Sequence, residues 1–313
     1  MLYNCFMKKI LSILLLGLCF GNIANAAETT TKKDSFFERI KSQKETLVKA
    51  KQKSYVSKLY SVTKFFAEYE HASNNYNKDS VLNCYSANYL SCDGFNLEIL
   101  SKVISDNWKS YPGMKYDVKV NHVKFYKDLA IVDVSEYAKG YAKTEDNHVA
   151  EFNSEMQTIY YIQPKGKSWQ IVGDYNVRER IILAWGDAKS SEINLVTPTQ
   201  IVAGKEFSAI LKVKQPEGVI AIGSISADKI VYPQQPVKEI FRKLSAEGTI
   251  ERLMNANIDN VDEYVSGTVG FTRPSIDINK NLNINLSGYA CIMERVRVVK
   301  PSNTSEVIGE NSK

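Results

Sequence analysis

Tyr116-Asp117-Val118-Lys119-Val120-Asn121-His122-Val123-Lys124-Phe125 is the stretch on which the fold turns. Tyr116, Val118 and Val120 alternate with polar residues, the period of a half-buried strand. The apolar phase then slips by one, to Val123 and Phe125, which is what an extra residue at a β-bulge near Asn121 or His122 produces. Downstream, Lys127-Asp128 makes a turn, and a second strand carries Ala130, Val132 and Val134 on one face. A third carries Phe152, Met156, Tyr160 and Ile162, and Pro164-Lys165-Gly166-Lys167 turns the chain into a fourth with Trp169, Ile171, Tyr175 and Val177. Upstream the period changes. Tyr55, Leu59, Val62, Phe66 and Tyr69 recur at helical spacing as far as Asn74-Asn75, and a shorter helix runs from Lys78 to about Tyr85. After a loop through Cys92-Asp93-Gly94, a third helix carries Leu97, Leu100, Ile104, Trp108 and Tyr111 and stops at Pro112-Gly113. Three helices followed by an antiparallel meander make an α+β layout.

From Tyr55 to Ala188 this pattern resembles the nuclear transport factor 2-like superfamily, which includes SnoaL-like polyketide cyclases. The resemblance rests on Phe65-Phe66-Ala67-Glu68-Tyr69, on Trp108-Lys109-Ser110-Tyr111-Pro112, on the strand from Leu129 to Val134, and on Trp169 to Tyr175. It implies a cone of three helices and a curved antiparallel sheet over residues 55–188, with a cavity at its wide end. After Gly186-Asp187-Ala188 the texture changes to short strands and frequent turns. Phe207, Ala209, Leu211 and Val213 alternate, as do Leu282, Ile284 and Leu286, and Pro198, Pro216, Pro233, Pro236 and Pro274 punctuate the runs. Residues 189–300 therefore resemble an all-β, immunoglobulin-like sandwich. Within it, residues 237–256 fit helix as well as strand, and residues 301–313 read as a disordered tail.

The N-terminus predicts export. Lys8 and Lys9 precede an apolar run from Ile10 to Phe20 and then Ala24-Asn25-Ala26, so residues 1–26 form a signal peptide cleaved after Ala26. A rival reading as a lipoprotein signal at Cys19 is disfavoured by Leu18 before it. The run is too short for a membrane span, and no later stretch approaches the required length; the protein is expected to be periplasmic or secreted. Residues 27–54 read as a basic helical arm, either a solvated spacer or a peripheral contact with an anionic envelope surface. The formal net charge of +5 is too small for the basic face that nucleic acid requires. In an oxidising compartment Cys84 and Cys92 are close enough in sequence to form a disulfide, with two unpaired thiols as the alternative.

Strong catalytic motifs are missing: there is no phosphate-binding glycine loop, no GxSxG and no HExxH. His71, His122 and His148 fall on separate elements, so neither metal nor cofactor is expected. His71, Asp133 and Glu155 are weak catalytic candidates, with Glu136 and Asp174 also on strands. In the alternating frame Asp133 opposes Val132 and Val134, Glu155 opposes Met156 and Asp174 opposes Tyr175, which aims these acids away from the helices. Phe66, Tyr69, Trp108, Tyr160, Trp169 and Tyr175 are the candidate ligand-pocket aromatics. The charged run holding Asp174, Arg178 and Glu179 is a candidate interdomain or dimer contact. The expected function is a non-enzymatic exported binding or accessory protein for a small apolar ligand or an envelope protein, possible as a homodimer. The alternative is a pocket hydrolase, isomerase or cyclase using a cavity carboxylate or histidine.

Overall fold

A computed structural model describes residues 29–143, 148–233, 239–276 and 282–301. The expected leader, residues 1–26, and the tail beyond residue 301 lie outside the described residues. Helix α1 (Thr29–Asn74) is far longer than the stretch whose apolar period is visible. Its side chains from 41 to 58 are exposed, and the described residues up to Lys58 belong to one compact unit while the described residues from Leu59 belong to a second. In the second unit α2 (Lys78–Asn83) and α3 (Leu97–Ser110) follow. Each is started by an asparagine: the Asn77 side chain accepts from Ser80 N at 3.0 Å, and that of Asn96 from Ile99 N at 2.9 Å.

The strands are β1 (Tyr85–Ser91), β2 (Lys115–Phe125), β3 (Ala130–Lys143), β4 (Val149–Lys165), β5 (Ser168–Gly186), β6 (Glu192–Val196) and β7 (Gln200–Val202), followed by β8 (Glu206–Lys214), β9 (Ile220–Lys229), β10 (Arg242–Lys243), β11 (Thr249–Asn255), β12 (Glu263–Ile276) and β13 (Leu282–Val299). Ten of them share one sheet, in the order β10-β9-β12-β13-β5-β4-β3-β2, with β1 paired to β5 and β7 to β13. The other three, β11-β8-β6, form a second sheet. The expected bulge in β2 is present between Val120 and His122. The ambiguous stretch 237–256 supplies strands β10 and β11.

Two cores result. Val62, Phe65 and Phe66 of α1 pack with Val132 and Val134 of β3, Tyr160 and Ile162 of β4 and Ile171 of β5. The second core lies between the two sheets, where Leu195, Leu211 and Ile250 meet Val265, Val269, Ala290 and Ile292. Burying such aliphatic side chains stabilises each core by roughly 1.5–3 kcal/mol per side chain.

The fold expected from the sequence needs correction. The chain is dominated by one large antiparallel sheet, and a three-helix cone followed by an immunoglobulin-like sandwich is not evident. Antiparallel pairing of β13 with β5, from Gly288 opposite Gly186 to Glu294 opposite Arg180, carries the sheet past residue 188 without an edge. Nor do three helices precede the first strand, because β1 lies between α2 and α3. That strand also explains the cysteines. Cys84 and Cys92 are both free thiols. Their backbones bond to Ile171 N and Asp174 O of β5, three residues apart, on the order of 10 Å at about 3.3 Å per residue, whereas a disulfide needs Cα atoms within about 7 Å.

Candidate functional site

The sheet face beneath α3 holds a cavity of about 290 Å³. Its floor comes from β3, β4, β5 and β13: Glu136 and Ala138, then Phe152, Ser154 and Met156, then Glu179 and Ile181, then Met293. Asn107 and Tyr111 at the end of α3, with Met114 and Tyr116 at the start of β2, close it from above. Register places the two acids in one row, since Glu136 is opposite Met156 and Met156 opposite Glu179. The Tyr111 and Phe152 rings stand 4.3 Å apart at one wall.

Bulges decide which β5 side chains reach this face. The β4–β5 register shifts between Tyr161 and Ile162 and again between Gln157 and Thr158, leaving Val172 and Val177 as the extra residues. Each extra residue flips the face of everything beyond it. Asp174 and Asn176 therefore share the face of Tyr160 and Thr158, and Glu179 and Ile181 share that of Met156 and Ser154. The simple alternation expected for β5, with Asp174 aimed outward, is thus replaced by a doubly bulged strand that turns Asp174 inward.

A web of phenols and carboxyls continues from the cavity. Tyr160 Oη donates to Glu136 Oε1 at 2.6 Å, Tyr89 Oη to Asp174 Oδ2 at 2.5 Å and Tyr264 Oη to Glu179 Oε2 at 2.6 Å. Burial pushes the Glu136 carboxyl up to about 7, with the charges of Asp174 and Glu179 adding to it and the Tyr160 hydrogen bond working against it. Burial likewise raises Asp174 to about 6, opposed by the Tyr89 hydrogen bond. Glu179 is raised too, mainly by burial, while Tyr264 and Arg295 hold it down. Arg295 is the buried cation of the web. Its Nε and Nη2 donate to Asp262 Oδ2 at 3.0 and 2.8 Å, it pairs with both oxygens of Asp93, and its Nη1 lies 3.8 Å from Glu179 Oε2.

The residues singled out from sequence fall elsewhere. His71 is exposed at the end of α1, 3.0 Å from the Asn75 amide, beside an open surface groove. Asp133 accepts from Gln157 and Asn121, each at 3.2 Å, on the face opposite Val132 and Val134, and Glu155 is exposed. None of these three lines the cavity. The six candidate pocket aromatics also stay out of it. Phe66 packs on Tyr160 at 5.3 Å and on Tyr69 at 6.4 Å, Trp108 Nε1 donates to Tyr116 Oη, Trp169 Nε1 donates to Ser61 Oγ, and Tyr175 carries Arg297 4.9 Å above its ring. Of the charged trio, Asp174 serves Tyr89, Glu179 receives Tyr264 of β12, and Arg178 is exposed.

Glu136 is the site residue whose position the pattern already contained, because it continues the inward parity of Val132 and Val134. Phe152 and Met156 likewise share the apolar face of β4 with Tyr160. Met114 carried no such signal, since its position depends on where α3 ends, whereas Tyr111 already lay on the apolar face expected for that helix. Among the described residues no group of three His, Cys, Asp or Glu side chains is arranged to hold a metal ion. What the arrangement can do is desolvate a small molecule, accept hydrogen bonds from it, and exchange a proton with it near neutral pH through Glu136.

No family model and no curated protein matches the chain. Among solved structures, Bd1075 of Bdellovibrio bacteriovorus is similar over 37% of this chain at 15% identity and a TM-score of 0.29, and the similarity spans only 38% of that protein. A conserved protein from Planctomyces limnophilus matches over 38% of this chain and 93% of its own, at 10% identity and a TM-score of 0.32. The Kfla4162 protein from Kribbella flavida matches over 39% and 90%, at 8% identity and a TM-score of 0.34. Likeness at this level assigns neither a family nor an activity.

Proposed function

We propose that this chain is an exported, non-enzymatic binding protein whose ligand site is the cavity between α3 and the sheet. The observation that carries the reading is the cavity itself: about 290 Å³, at the lower end of the roughly 300–1,000 Å³ typical of small-molecule sites, with an apolar wall and two carboxyls on its floor. The Lys8-Lys9 pair, the apolar run and Ala24-Asn25-Ala26 support export to the periplasm or beyond. The test is to purify the chain from the cell envelope or medium, offer it lipid and metabolite extracts, and record native mass spectra. A small-molecule adduct that disappears in Met156→Trp, which fills the cavity, is expected. An adduct retained in that variant, or none in the parent, contradicts the reading.

One observation favours a second reading, a pocket isomerase, cyclase or hydrolase. A cavity carboxyl raised to about 7, as Glu136 is, suits a general base or acid at neutral pH. Covalent or chemical conversion of the captured adduct over time, abolished in Glu136→Gln, would turn the assignment from binding to catalysis.

A further inference from the structure

The cavity pairs carboxyls with aromatic and thioether surface. Glu136 and Glu179 line it, and among the described residues no lysine, arginine or histidine does. The nearby guanidinium of Arg295 is already committed to Asp93 and Asp262 and reaches only Glu179, at 3.8 Å. Glu136 has no basic partner among the described residues; its hydrogen-bonding neighbours are the Tyr160 phenol and the Thr158 hydroxyl. The charges that act on it most, those of Asp174 and Glu179, are negative. The cavity lining it shares includes the aromatic side chains of Tyr111, Tyr116 and Phe152, a residue class that attracts cations, and the polarizable thioethers of Met114, Met156 and Met293. A neutral apolar ligand leaves ionised Glu136 without a counter-charge, whereas Glu179 already has Arg295, and an anion is repelled by Glu136.

We propose that the cavity binds a small organic cation, an alkylammonium or quaternary ammonium compound, with its charge beside Glu136 in a lining shared with the aromatic and thioether side chains. The proposal rests on the binding reading above and narrows it to one ligand class. Because the cation favours ionised Glu136, binding expels a proton when the free carboxyl is protonated, so affinity rises as pH goes from 6 to 8.

The probe is choline, set against its uncharged carbon isostere 3,3-dimethyl-1-butanol, titrated into the full mature chain by calorimetry at pH 6 and pH 8. The expected result is choline binding at least about tenfold tighter than the isostere at pH 8, a difference worth about 1.4 kcal/mol, and weaker at pH 6. Glu136→Gln should remove that preference while leaving the isostere's affinity in place, which shows that the variant pocket is still folded. Equal or tighter binding of the isostere by the parent chain overturns the cation proposal and leaves the pocket reading standing. Failure of both probes to bind overturns the cation proposal as well, and the fate of the pocket reading is then decided by the extract experiment.

Discussion

Glu136 is the residue on which the chemistry of the site hangs, and its protonation has a thermodynamic signature independent of any ligand. Its folded value of about 7 lies above the ordinary 4.5, so the folded chain holds this proton more tightly than the unfolded one. The stability it contributes is fully present below about pH 4.5 and is lost as pH rises through about 7. Replacing it with glutamine removes the ionised form and its cost. Urea unfolding of Glu136→Gln should therefore give a stability gain over the parent that is larger at pH 8 than at pH 5, by roughly 1–2 kcal/mol. Asp174, whose charge acts on Glu136, is relieved of that repulsion in the variant and adds to the gain in the same sense. A gain that is equal at both pH values would show that Glu136 is ionised throughout. The position of this acid was readable from Val132 and Val134, four and two residues before it. The paired bulges in β5 were not, because an extra residue in a strand leaves no mark when its neighbours, such as Asp174-Tyr175-Asn176, are themselves a mixture of apolar and polar.

At the scale of elements, the long strands were legible and their pairing was not. Alternation identified β2 with its bulge, β3 and β4 from side-chain period alone, since each buries one face against helices. The partner of β5 beyond Arg180 could not be read, because β13 lies about a hundred residues away and local pattern says nothing of such distant pairing. Strand β1 was hidden for a different reason: Tyr85, Ser86 and Tyr89 are buried while Leu90 is exposed, so its burial does not follow residue type. The β5–β13 junction depends on close backbone approach. A Cβ at Gly288 would sit 2.6 Å from Asp187 N and 2.7 Å from Ala188 N, both main-chain atoms that cannot swing aside. Gly288→Ala should lower unfolding free energy by about 2 kcal/mol or more, whereas Gly166→Ala, at an open turn, should cost about 1 kcal/mol through its φ of +61° alone. Equal losses in the two variants would refute the claim that this junction is sterically constrained.

For the whole second unit, the sheet that passes from β2 to β10 is braced by one buried ion cluster. Arg295 on β13, 4% exposed, ties Asp93 from the loop after β1, Glu179 on β5 and Asp262 ahead of β12. Arg295→Met leaves these acids buried without their cation and should cost about 3–5 kcal/mol, read as a lower urea midpoint; a loss below 1 kcal/mol would mean the cluster is not what braces the sheet. The expectation of separate cone and sandwich architectures came from the short strands β6, β7 and β10 that follow residue 188, although β12 and β13 are as long as the strands before it. The texture change marks where the second sheet, β11-β8-β6, begins to cover the first, and not an end of the first sheet. The account as a whole stands on the cavity being a ligand site, and the methionines report on it directly. After position 26 the chain has four, of which Met114, Met156 and Met293 line the cavity and Met254 lies in the core between the sheets. Methyl NMR of methionine-labelled protein titrated with the metabolite extract should move the signals of the first three and leave that of Met254 in place. Four stationary methyls, or movement of Met254 alone, would contradict it.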